Sequence, residues 1–397
     1  MRESARLEPV KDGNGKQGGF KCGTTVSQQR ENMRSGDEMT GSVGERAAKS
    51  SQGCRKGAMR GKITALEEAY EEYRVKRFKP EVFQGNLSKK RYFEGWYFKH
   101  VSDDLENAYA FIPGISLSGE SSHAFIQVIN GITGETHYVP YDLEEFSWKK
   151  DRLHIQVGAS VFTDEYIGIN IEDEGITANG HIEYSNVVKY PITLLAPGIM
   201  GWYAYVPFME CYHDVVSVNH SLNGKAFING NLIDFSSGKG YIEKDRGKSF
   251  PDAWIWIQCN SFTANGTSLF VSIAKIPWLR RYFVGFICFL YTQGMFFLFN
   301  SYNNSKVSQV RYDGNALTIS LENKRSILDV KATKKKSGEL KAPSSGQMTR
   351  RIKESIDSEV HVQIRDRSGQ TLFEDYGRRA GLEIIEDIFK YLDLGQR

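Results

Sequence analysis

The sequence predicts an all-β protein built of antiparallel barrels or sandwiches. From residue 91 onward, short runs alternate apolar and polar residues with a period of two. Turn dipeptides punctuate these runs at Asn130-Gly131, Asn223-Gly224, Asn229-Gly230, Asn265-Gly266, Asp313-Gly314 and Ser368-Gly369. Helical periodicity is almost missing from the same stretch, and many hairpins with few helices describe closed or stacked antiparallel sheets.

Taken in order, residues 1–60 hold ten Gly, 12 Lys+Arg against 7 Asp+Glu, and one aromatic, Phe20. Such a segment buries too little apolar surface to offset its ordering entropy, so a disordered basic tail is expected, with Met59 a candidate initiator. Thr64-Ala-Leu-Glu67 has capping-box spacing and Leu66, Tyr70 and Tyr73 follow at helical intervals, which predicts a short helix over 61–77 that Pro80 stops. Two halves then follow, 78–212 and 213–397, divided where Pro197-Gly198 and Pro207 interrupt the pattern. The cleanest hairpin joins 225–228 to 231–235 through Asn229-Gly230. The apolar run 282–299 is rich in Phe, Tyr, Val and Ile around Thr292-Gln293-Gly294, so it reads as a hairpin rather than a membrane helix. Residues 337–346 read as a polar loop, and 378–394 as a turn and a short C-terminal helix with Leu382, Ile385, Ile388 and Phe389 on one stripe.

A chain of 397 residues with 40% hydrophobic and 12% aromatic residues has ample core for two domains. A formal charge of only +3 leaves no electrostatic footprint for nucleic acid. Cys22, Cys54, Cys211, Cys259 and Cys288 are odd in number and form no CxxC pair, which favours a reduced cytosolic compartment over a disulfide framework or zinc knuckle.

Chemistry concentrates in 238–260. In Tyr241-Ile-Glu-Lys-Asp-Arg-Gly247, alternation puts Tyr241, Glu243 and Asp245 on one face. In Trp254-Ile-Trp-Ile-Gln-Cys-Asn260, it groups Trp254, Trp256, Gln258 and Asn260 against Ile255, Ile257 and Cys259. The aliphatic face suits a core, and the indole-and-amide face suits a cavity wall, where a nearby carboxyl can stay protonated near neutral pH. An ordinary strand pair with surface ion pairs is the competing reading. Glu94 shares a face with Tyr92, Trp96 and Phe98, either as a buried acid or as an anchor for neighbouring backbone. His213 and His220 lack the spacing of a helical metal pair and no third ligand is nominated, so no metal site is assigned. Neither a phosphate loop, nor a GxSxG elbow, nor a Cys/His nucleophile pair is present.

Together, Tyr92-Phe-Glu-Gly-Trp-Tyr-Phe-Lys99, Gly201-Trp-Tyr, Pro207-Phe-Met-Glu-Cys211, the 241–247 and 254–260 runs and Arg379-Ala-Gly-Leu-Glu383 resemble the tocopherol cyclase family over about 78–388. The resemblance implies two tandem lipocalin-like (calycin) barrels and an intramolecular lyase closing a prenylated hydroquinone to a chromanol without a cofactor. The 241–247 run is also similar to that of carotenoid hydratases, with Glu243 at the position of the proton donor, Asp245 in place of an Asn and Arg246 in place of a Trp. The implied catalytic set is Glu243, Tyr241, Asp245 and His220, with His220 or Asp245 orienting the acid and Glu94 the alternative acid. Trp254, Trp256, Gln258, Asn260, Glu94, Trp96 and Trp202 are the substrate-binding candidates. The implied ligand is a prenylated quinol or another isoprenoid; separately, the aromatics of 278–289 beside Arg280 and Arg281 leave peripheral membrane docking open. A carrier that binds isoprenoids without turnover, or a hydratase-like enzyme, is the alternative.

Overall fold

The computed structural model describes residues 64–392 apart from 65 and 68. The expected tail and Met59 lie outside the described residues. Residues 69–78 are helical, as are 64, 66 and 67, with Leu66, Tyr70 and Tyr73 all exposed. Among the described residues, those after Pro80 lie in β-structure, short 3-10 turns and loops, and every strand pairing is antiparallel.

The strands form two sheets, both within one packed unit. In the twelve-stranded sheet the path runs from Thr136–Tyr141 back to Tyr92–Val101, then to Lys239–Gly247 and Cys211–Ile228, and on to Phe146–Trp148. The ten-stranded sheet runs from Met295–Asn300 back to Trp254–Cys259, then to Thr371–Ile384 and Gln347–Asp366, and on to Lys306–Tyr312. Strands are spaced about 4.8 Å apart, so a flat sheet of either size would hold its edges about 40 Å or more apart. The first sheet's edge strands are joined by residues 142–145 alone, and the second's by 301–305. Links that short reach only about 20 Å, so each sheet curls enough to bring the joined ends of its edge strands within that distance. No strand pairing joins the two edges of either sheet among the described residues.

Three apolar clusters follow from this curling. One draws on the first sheet, with Trp96, Phe98, Phe111, Phe162 and Ile242 among its members. A second draws on the other sheet, with Ile255, Ile257, Cys259, Ile319, Leu321 and Val362. The third takes Tyr97, Met200, Met209, Val215 and Tyr241 from the first sheet's side and Trp254, Trp256, Phe270 and Ile352 from the second's. Alternation decides the split: Trp96 and Tyr97, Ile242 and Tyr241, or Ile255 and Trp256 point to opposite sides of one strand.

Several expectations need correcting. The first sheet includes Cys211–Ile228 and Lys239–Gly247, so the change of sheet falls between Gly247 and Trp254 rather than at 212/213. Asn223-Gly224 is no turn: both residues lie inside Cys211–Ile228. Residues 338–344 are a strand, Gly338–Ser344, paired with Gln347–Asp366, and Thr136 Oγ1 donates to Glu339 O across to the first sheet. Toward the C-terminus Thr371–Ile384 remains strand, and among the described residues a 3-10 turn, Glu386–Lys390, follows it. The stripe of Leu382, Ile385, Ile388 and Phe389 is still apolar because all four pack on the second core. The 282–299 run is a hairpin, Arg281–Thr292 and Met295–Asn300, turning at Gln293-Gly294. No helix among the described residues is long and apolar enough to cross a membrane.

Candidate active site

Between the two sheets lies a cavity of about 190 Å³, lined chiefly by apolar and aromatic side chains, among them Phe93, Phe125, Met200, Met209, Trp254 and Trp256. Into it point three buried glutamates, Glu243, Glu354 and Glu383.

Glu243 is placed by the central strand of the first sheet, with Tyr97 opposite it on one neighbour and Val215 on the other. Its Oε2 accepts from Tyr241 Oη at 2.7 Å and from Trp256 Nε1 at 3.2 Å, and His213 Nε2 lies 3.7 Å away. Burial pushes the carboxyl up to about 7, the His213 cation partly opposing this and the Asp245 carboxylate adding to it. Two residues along, Asp245 Oδ1 sits 2.9 Å from His213 Nδ1 and accepts from Cys211 Sγ at 3.6 Å. Burial alone would lower His213, but Asp245 and Glu243 override it and lift the imidazole to about 9. His213 stacks on Phe270, with ring centroids 5.1 Å apart. At neutral pH the unit is an imidazolium between Asp245 and a Glu243 carboxyl group that is about half protonated.

The second sheet supplies the opposite wall. Trp256, Glu383 and Glu354 stand side by side on three adjacent strands. The two carboxyl groups are hydrogen-bonded to each other; Tyr97 Oη donates to Glu354 at 2.5 Å and Trp254 Nε1 to Glu383 at 2.5 Å. Burial pushes both up, Glu383 to about 7, and their closeness pushes Glu354 further. Gly381 makes room for the Trp256 indole, since a Cβ there would meet the ring at 2.4 Å.

A family-wide sequence model described as Tocopherol cyclase-like matches residues 154–385, more than half of the chain. The chain belongs to the tocopherol cyclase-like family. The chloroplastic tocopherol cyclase of Zea mays is 26% identical over 197 residues, 46% of this chain and 41% of the relative. A protein of Oryza sativa subsp. japonica described as "Probable tocopherol cyclase, chloroplastic" is 24% identical over 218 residues, 51% of this chain and 46% of the relative. The chain thus spans less than half the length of both curated relatives. Among solved structures, CghA covers 74% of this chain and 88% of its own at 9% identity and a TM-score of 0.48. Kievitone hydratase from Nectria haematococca covers 77% and 93% at 9% identity and a TM-score of 0.42.

Within this tocopherol cyclase-like chain, the structure brings Glu243, Tyr241, Asp245, Trp254 and Trp256 together at one site. Other expected site residues lie elsewhere. His220 packs at a tilt against Tyr184, with ring centroids 4.2 Å apart, meets Ser217 Oγ through Nδ1 at 2.8 Å, and does not line the cavity; His213 is the imidazole beside Glu243. Glu94 faces the first core, where Lys244 Nζ lies 2.5 Å away and the Gln84 amide donates at 2.8 Å. It anchors neighbouring backbone and stays outside the cavity lining. Trp96 is fully buried in the same core and donates to Glu81 O at 2.8 Å. Gln258 accepts from the buried Lys99 Nζ at 2.8 Å, and Asn260 donates to Gly240 O at 2.8 Å, so both serve a polar layer outside the cavity lining. Trp202 is 47% exposed and stacks on Tyr203, which does line the cavity. Arg246, at the position where the hydratase resemblance implies Trp, packs its guanidinium over Tyr212 at 4.2 Å and stays outside the cavity lining.

Tyr97, Glu354 and His213 were missed as members of the acid site. Tyr97 follows from alternation, because it is out of phase with Glu94 along one strand. Glu354 and Glu383 sit far from Glu243 in sequence and meet it only through strand pairing. His213, Glu243 and Asp245 also bring ligand atoms within 4.8 Å of one another, a set that could hold a cation.

Proposed function

We propose that this chain is an acid-catalysed cyclase that closes a prenylated hydroquinone to a chromanol, each curled sheet being one of two tandem lipocalin-like barrels. The observation that carries the reading is Glu243, a carboxyl pushed up to about 7, facing an aromatic-lined cavity. Its O–H proton goes to the less substituted carbon of a trisubstituted prenyl double bond. The tertiary cation left behind is captured by a phenol oxygen, which forms the new C–O bond. The phenolic proton then returns to the Glu243 carboxylate, so the product is an isomer of the substrate and the sequence requires no cofactor.

Each neighbour has a task in this scheme. Tyr241 and Trp256 hold the carboxyl in one orientation, and the His213–Asp245 pair stabilises the carboxylate once its proton has left. Arg350 covers one face of Trp254 at 4.7 Å, which leaves Trp256 and Tyr97 better placed to face the cation, a contact worth about 0.5–2 kcal/mol. The apolar lining excludes the water that would otherwise capture the cation to give a hydrated product. At about 190 Å³ the cavity is smaller than the ~300–1,000 Å³ of sites that enclose whole ligands, so it holds the head while the isoprenoid tail leaves through the mouth.

The test is an anaerobic incubation of purified protein with a prenylated methyl-benzoquinol, followed by chromatography for the chromanol, beside Glu243→Gln. Chromanol from the wild type and a loss of about 100-fold or more in the variant are expected. Saturable quinol binding without turnover would make the chain a carrier, and a hydrated side chain in place of the chromanol would make it a hydratase.

A further inference from the structure

We infer that the Glu354–Glu383 pair is the head-group subsite of this cavity and selects a reduced quinol over its oxidised quinone. The inference rests on the quinol reading above and deepens it. Both side chains are more than nine-tenths buried and both line the cavity. They lie on adjacent strands, directly opposite each other in register. Neither makes an ion pair among the described residues: the nearby Lys99 ammonium is already committed to Gln258 Oε1 at 2.8 Å and Arg379 O at 2.6 Å.

The hydrogen-bond inventory of the pair gives it a direction. The proton between the two carboxyl groups is used within the pair. Tyr97 Oη and Trp254 Nε1 each donate inward at 2.5 Å. Once Glu383 is ionised, above about pH 7, the lone pairs left over on the four carboxyl oxygens can only accept. The remaining polar face of this wall therefore asks for an O–H or N–H donor, inside a cavity whose other walls are largely apolar.

A hydroquinone brings two O–H donors, one to meet the pair and one to attack the alkyl cation. A quinone has the same shape but two carbonyl oxygens, which can only accept. Placing a carbonyl against this wall sets acceptor against acceptor and leaves buried lone pairs without a partner. Sites built around a substrate hydroxyl reject analogues lacking it far more strongly than an apolar pocket rejects a change of size. The selection is useful here, because only the reduced ring can supply the nucleophilic oxygen.

The experiment uses full-length protein under anaerobic conditions at pH 8, where Glu383 is ionised, and a prenylated methyl-benzoquinol whose side chain is saturated, so that no alkene is present to be turned over. Equilibrium dialysis compares its affinity with that of the matching quinone, for the wild type and for Glu354→Gln and Glu383→Gln. The quinol is expected to bind at least about tenfold more tightly to the wild type. Each amide variant presents N–H donors at the same place, so the ratio should fall toward one or invert, through weaker quinol binding and stronger quinone binding together. Equal wild-type affinities overturn the inference and leave the quinol reading standing, as does an unchanged ratio in both variants. Binding of neither molecule overturns the quinol reading and the inference with it. The wild-type ratio alone decides the matter if the variants do not fold.

Discussion

Glu243 is held by two opposed influences, and their balance sets the pH at which the site can work. Burial favours the neutral acid, and the His213 imidazolium favours the carboxylate, with the result near 7. A carboxyl that must carry a proton to donate it loses activity as pH rises through that value, so kcat should fall about tenfold per unit on the alkaline side. Replacing His213 by Gln removes the cation that lowers Glu243. The acid then holds its proton to higher pH, and the alkaline limb of the kcat profile should move upward even if the maximum drops. A limb that stays in place, or moves to lower pH, would mean that another group limits the rate. The presence of an acid on the Tyr241 and Asp245 face is legible from alternation alone. Its imidazole partner is not, because His213 and His220 are both plausible on sequence and only the bulged pairing of Cys211–Ile228 with Lys239–Gly247 decides between them.

At the scale of the element, one strand does two unrelated jobs on its two faces. Along Lys239–Gly247, Tyr241, Glu243 and Asp245 face the cavity side, while Lys244 turns into the first core against Glu94, with further acceptors at Pro80 O and Val82 O, 2.7 and 2.5 Å away. The neighbouring strand repeats the division, with Tyr97 toward the cavity and Glu94 and Trp96 toward the core. Removing one partner of a buried pair leaves an uncompensated charge and costs about 3–5 kcal/mol. Glu94→Gln should therefore lower the urea midpoint clearly while the folded fraction keeps its kcat. Glu243→Gln should do the reverse, and a Glu94→Gln enzyme of normal stability but lost turnover would return the role of acid to Glu94. The faces were readable because a period of two needs no tertiary information. The partners were not: Trp256, Glu383 and Glu354 come from three separate stretches, and no local pattern states that those strands are neighbours.

The molecule as a whole decides where the cavity wall read from the Trp254 and Trp256 face ends up. The indole-and-amide face over 254–260 suited a cavity wall but did not say which cavity: each curled sheet fills its own inside with aliphatic and aromatic side chains, and the open space lies between the sheets. The change of sheet after Gly247 was equally hidden, since the proline-containing 191–207 stretch interrupts the strand pattern more strongly than the true crossing at 248–253 does.

The same placement carries a prediction about where the substrate enters. The cavity lining reaches Tyr203, Ile276, Pro277 and Phe283, and around these stand Trp202, Phe208, Leu279 and Tyr282, all between 47% and 83% exposed. Ring contacts knit the two segments into one surface: Tyr203 stacks on Phe283 at 5.6 Å and Phe208 meets Trp278 at 5.4 Å. Arg280 and Arg281 are exposed at the tip of the same hairpin. An apolar rim beside two cations suits an anionic bilayer, with the rings in the headgroup boundary and the guanidinium groups on lipid phosphates. An isoprenoid tail too long for the cavity would then stay in the lipid while the head reaches Glu243. Co-sedimentation should show the protein binding vesicles containing phosphatidylserine more strongly than pure phosphatidylcholine vesicles, with binding that weakens as salt rises. Leu279→Ser should weaken binding to both kinds of vesicle. Replacing Arg280 and Arg281 together by Gln should remove only the preference for anionic lipid, and neither change should reduce turnover of a short-chain quinol supplied in detergent. Unaltered vesicle binding in both variants would move the membrane contact, and the route of entry with it, to another face of the molecule.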